Sequence, residues 1–70
     1  MYILKLEPYQ FKELIKRNKK TQTNIAEIIG VHRTYISQIV NGRGTSKLCA
    51  YAICKSISPD LELNDLFIKL

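Results

Sequence analysis

Between Gln22 and Asn41 the chain sets two short apolar patterns on either side of one glycine, and that spacing leaves few folds open. Ile25, Ala26, Ile28 and Ile29 recur at helical intervals on the inward side of the first pattern, and Ile36 and Ile39 on that of the second. Gly30 stands at the junction, where the absence of a Cβ permits the left-handed backbone of a tight turn. Each predicted helix is too short to hold in water alone, so the two must pack on one another and on a shared core. Ala26 is small where the two helices approach most closely, and Val31 joins the isoleucines in filling the space between.

The flanking segments complete one small domain, since 70 residues hold a single modest core. Pro8 suits a first helical turn, and Phe11, Leu14 and Ile15 predict a helix from there to about Asn18. Thr21 offers an N-cap oxygen to a second helix beginning at Gln22. A third runs from His32 or Arg33 to Val40, and "NGRG" ends it with two glycines that permit positive φ. Thr45 or Ser46 caps a fourth, "KLCAYAICKSI", which is apolar almost all round and is therefore expected at the centre. Pro59 breaks that helix, and "LNDLFIKL" reads as one or two further helical turns capped by Asn64. Residues 2–6 alternate weakly and fit either a short strand or an extended arm. The expected fold is all-α, a compact bundle of about five short helices over residues 1–70.

Charge narrows the partner. Nine of the 11 Lys and Arg residues lie in residues 1–47, with only three of the six acidic ones, so the first two thirds of the chain favour a polyanion such as nucleic acid. A basic surface kept for solubility is the plainer reading of charge alone. Cys49 and Cys54 lie five apart in one helix, too widely separated for a disulfide, and lack the partners that zinc requires. No apolar run reaches the roughly 18 residues that span a bilayer, and "MYILKL" lacks the basic start of a secretory signal. A soluble cytoplasmic protein without membrane, metal or cofactor is expected. The single histidine has no Ser, Cys or carboxylate at catalytic spacing, which argues against an enzyme.

A helix, a tight turn and a second helix is the arrangement that lays one helix across a phosphate backbone and the next into the major groove. The pattern "TQ…IA…IGV…YIS.I.NG" resembles the helix-turn-helix domains of phage Cro and repressor proteins and the related bacterial regulators of the XRE family. The resemblance covers roughly residues 9–67. It implies a lambda-repressor-like bundle, with its helix-turn-helix unit at residues 22–41, that binds operator DNA, usually as a dimer. Val40 stands where the family commonly has Glu, and His32 where a small or hydroxyl residue is usual, which leaves the cap of the third helix open. The short chain favours a Cro-like, phage-like transcriptional regulator over a repressor with sensing functions.

Arg33, Thr34 and Gln38 share the outer face of the third helix and are the candidate base-reading residues. Arg matches guanine O6 and N7, and Gln matches adenine N6 and N7. Gln22, at a helix N-terminus, suits a phosphate oxygen; the resemblance implies that it also braces a reading residue. Tyr35 and Ser37 flank the reading face as phosphate or thymine-methyl contacts, and Tyr35 equally fits packing against the first helix. Asn41, Arg43, Thr45, Ser46 and Lys47 form a loop suited to the flanking phosphates. His32 serves as a cap or touches phosphate, and Lys12, Lys16 and Arg17 read as solvated charge. The rival reading is a protein-interaction module, antirepressor or antitoxin-like, that turns the same helix to another regulator.

Leu61, Leu63, Leu66, Phe67, Ile68 and Leu70 crowd the last ten residues. Leu66 is expected to cover the end of the fourth helix. Phe67, Ile68 and Leu70 are the candidates for a two-fold homodimer contact. Such a dimer spaces its reading helices about 34 Å apart and selects a palindromic operator with half-sites about ten base pairs apart.

Overall fold

The computed structural model describes residues 3–69. Its elements run β1 (Leu4–Leu6), α1 (Pro8–Arg17), α2 (Gln22–Ile29), α3 (Arg33–Val40), α4 (Lys47–Ile57), one 3₁₀ turn (Leu63–Asp65) and β2 (Phe67–Lys69).

Local chemistry accounts for the helix ends. Pro8 enters the first turn of α1, where its missing N–H costs nothing, and the Glu7 carboxylate accepts from Tyr9 N at 3.1 Å. Beyond the other end, Lys19 takes the left-handed conformation at φ 56° while Lys20 N donates back to Ile15 O. Thr21 and Asn24 form a reciprocal capping box at the start of α2, each side chain accepting the other's backbone N–H at 3.1 and 3.0 Å. Thr21→Ala removes one of these bonds and is expected to cost about 1 kcal/mol. In a domain of this size that is a fall of about 4–8 °C in melting temperature, and an unchanged thermal transition would deny the cap its role. Gly30 ends α2 at φ 79° with nothing within 4 Å of its missing Cβ, so backbone conformation alone requires glycine there.

The third cap is settled by the ring itself. His32 Nδ1 accepts from Thr34 N at 3.0 Å, doing for α3 what a hydroxyl does elsewhere. Ser46 rather than Thr45 caps α4. Of the two glycines in "NGRG", Gly42 has positive φ, at 114°, and Gly44 does not; a Cβ at Gly44 would collide with the Ile3 side chain.

The all-α expectation needs correction, because the chain ends meet in a small sheet. β1 pairs antiparallel with β2, with Leu4 opposite Lys69 and Leu6 opposite Phe67. The other side of β1 is held by Thr45, whose N–H and C=O both bond Leu4, at 2.8 and 2.9 Å. Residues 4–6 are therefore strand rather than arm. The fifth helix is replaced by the 3₁₀ turn, whose N-cap position is Glu62 rather than Asn64, and β2 takes the residues expected to continue it. Asp65 Oδ2 accepts from Glu62 N at 3.0 Å.

α4 is central as expected, packing on α2, β1 and the 3₁₀ turn. Phe11 from α1, Ile25 and Ala26 from α2, Ile36 and Ile39 from α3, and Ile53 from α4 are buried together with Leu6 and Leu66. Ile29 and Val31 pack against them partly buried, whereas Ile28 points outward. Phe67 is only 5% exposed, because its ring is part of this same core. It is thereby withdrawn from the proposed dimer contact. Ile68 is 53% exposed, and Leu70 lies outside the described residues. Cys49 and Cys54 are free thiols, and burial pushes the Cys54 thiol up to about 11. No described helix is long and apolar enough to cross a membrane.

Candidate nucleic-acid interface

The face that α3 turns away from the core is polar. Ile36 and Ile39 anchor the helix, which leaves Arg33, Thr34 and Gln38 exposed on its outer side. The turn at Gly30 then folds the start of α2 back beside the start of α3. Gln22, Thr23, Arg33, Thr34 and Ser37 line one open groove of about 360 Å³. The capping box occupies the N–H of Asn24, and the first N–H groups of α2, at Gln22 and Thr23, have no partner in the helix, as is general for a first turn. Together these groups offer N–H donors, an amide, hydroxyls and a guanidinium to an anionic, hydrogen-bonding surface. Thr23 was absent from the expected site residues, although its position beside Gln22 at the helix start was the available signal.

The loop after α3 is ordered by its backbone. Gly42 N donates to Ile39 O and Arg43 N to Gln38 O, the paired bonds with which a glycine-ended helix commonly closes. This geometry sets the residue beyond the glycine against the third residue from the helix end. Here those two are Arg43 and Gln38. Arg43 Nη1 donates to Gln38 Oε1 at 2.6 Å, and its guanidinium carbon lies 5.1 Å from the centre of the Tyr35 ring. Tyr35 is half-buried with its hydroxyl 3.6 Å from Cys49 Sγ, so it packs toward α4 rather than α1.

The remaining candidates divide. Asn41, Ser46 and Lys47 are exposed, although Ser46 Oγ already accepts from Cys49 N at 3.3 Å. Thr45 is 5% exposed and its hydroxyl is enclosed without a hydrogen-bond partner. An isolated bridge to Leu4 holds it inward, where its enclosed hydroxyl does not reach a phosphate. Two lysines from earlier in the chain, Lys5 and Lys12, line a wider and largely apolar groove of about 810 Å³ together with Glu7, Gln22, Asn41 and Gly42. Lys5 reaches that position only because β1 runs beside the loop, which sequence spacing does not reveal.

A family model described as Helix-turn-helix, HTH_3, matches residues 11–55, from Phe11 in α1 to Lys55 in α4. No curated protein and no solved structure matches the chain.

Proposed function

Since the chain belongs to the Cro/C1-type helix-turn-helix family of DNA-binding transcription regulators, we propose that it is a Cro-like repressor that reads operator DNA with α3. The observation that carries this reading is the shared groove of Gln22, Thr23, Arg33, Thr34 and Ser37, in which groups from two helices converge. α3 lies in the major groove with Arg33, Thr34 and Gln38 toward base edges. The start of α2 crosses the backbone, and Gln22, Ser37, Asn41, Ser46 and Lys47 hold phosphates.

A protein-binding use of the same face is less well supported, because none of the exposed large apolar residues among those described, Ile3, Tyr9, Ile28, Leu48, Tyr51 and Ile68, belongs to α3. Two protomers bind one operator, joined through the chain end around Ile68. Selection from random duplex DNA tests this reading. It is expected to return a palindrome with half-site centres about ten base pairs apart; a protein that enriches no sequence is not this regulator.

Within such a site, Arg33→Ala should cost about 1–3 kcal/mol and relax the preference at one base pair. Gln22→Ala should weaken all sequences more evenly than Arg33→Ala, since a phosphate contact carries no base information. Titration of both variants against the selected site and its single-base variants separates the two roles; an even loss with Arg33→Ala would remove Arg33 from the reading set.

A further inference from the structure

Gln38 does not present a free amide. Its Oε1 accepts a 2.6 Å bond from Arg43 Nη1, and the Tyr35 ring beside the guanidinium holds the donor in place. A guanidinium has only donors, so whichever way the amide is turned it must offer its oxygen to Arg43 and its NH₂ outward. A charged donor at this separation makes one of the stronger hydrogen bonds open to an amide. Backbone geometry enforces the meeting, because the Arg43 N to Gln38 O bond across Gly42 fixes the two residues side by side.

A glutamine reads adenine with both ends, its oxygen accepting from N6 and its NH₂ donating to N7. Here one lone pair of the oxygen is engaged by a cation at 2.6 Å, which leaves it a single lone pair and makes it a weaker acceptor for the adenine amino group. The outward array is therefore dominated by the Gln38 NH₂ donor, with the Arg43 charge behind it. The base edge that complements such an array is guanine, whose O6 and N7 are both acceptors. We propose that Arg43 is a positioning residue that turns Gln38 from an adenine reader into a guanine reader, instead of a phosphate contact. The proposal rests on the DNA-reading role of α3.

The test begins with the wild-type protein and random duplex DNA, where enrichment of a site establishes the reading role before any variant is made. Gln38→Ala then identifies the base pair that Gln38 reads, as the one position where preference disappears. Guanine is expected there. Arg43→Ala, checked for an unchanged melting temperature, is expected to shift that position toward adenine by about tenfold in the affinity ratio. Other positions and the salt dependence should not move. Adenine at that position in the wild type, guanine retained in Arg43→Ala, or an even loss over all sequences with a shallower salt dependence would each overturn the proposal. A wild-type protein that enriches no site removes the DNA reading itself, a separate result.

Discussion

Phe11→Ala is expected to destabilise the chain severely, more than any substitution on the exposed side of α1. The ring is 1% exposed and is the one fully buried side chain that α1 sends into the core, with Leu14 and Ile15 packed partly buried beside it. Truncating a buried phenylalanine to alanine typically costs about 3–5 kcal/mol, part lost transfer energy and part the cavity left behind. A domain of this length has a total stability of roughly 4–10 kcal/mol, so about a third or more disappears with one side chain. Circular dichroism should show the melting temperature lower by about 12–40 °C, at about 4–8 °C for each kcal/mol. Tyr9→Ala, on the same helix but 71% exposed, is the control and should leave the transition almost where it was. Equal shifts in the two variants would mean that α1 is not docked through Phe11.

What the sequence disclosed follows a physical division between local and non-local forces. α1 to α4 were legible because their ends are written in neighbouring residues: Pro8, the Thr21 cap, the Gly30 turn and the Ser46 cap each act within a few positions. The chain end was misread because its structure depends on partners some sixty residues away. Residues 67–69 become a strand only through pairing with residues 4–6, and no local periodicity records that pairing. Thr45 failed for the same reason. A hydroxyl residue in a basic loop fits a phosphate contact, until the backbone of Leu4 bonds it from across the molecule.

The candidate interface divides likewise. Gln22, Arg33, Thr34 and Ser37 could be grouped in advance because helical spacing and one tight turn fix their relation. The Gln38–Arg43 bond could not, since it depends on the path of the backbone through Gly42. Lys5 joins the interface through the sheet, and so was legible only once β1 was known to be a strand.

That lysine bears on the second large effect, the dependence of operator binding on salt. Each cation that neutralises a DNA phosphate releases condensed counterions, and log K falls with log salt at a slope of about −0.9 for each such contact. Lys5 and Lys12 adjoin Gln22 and Asn41 along one groove, and Lys47 begins α4 beyond the loop that follows α3. If these three reach phosphate in each protomer, a dimer makes about six contacts and the slope is about −5. Between 50 and 200 mM salt the affinity should then drop about a thousandfold. A monomer on a half-site keeps half the contacts, a slope of about −3, and loses only some fortyfold over the same range. Fluorescence anisotropy with the selected operator measures the slope directly. Replacing Lys5, Lys12 and Lys47 together by alanine should flatten it severely while leaving the preferred sequence unchanged, because phosphate contacts carry affinity and not base identity. A steep slope that survives the triple substitution would move the phosphate contacts to other cations, such as Lys16 and Arg17 on α1. A slope near zero in the wild type would exclude an electrostatic grip on DNA altogether, whatever α3 resembles.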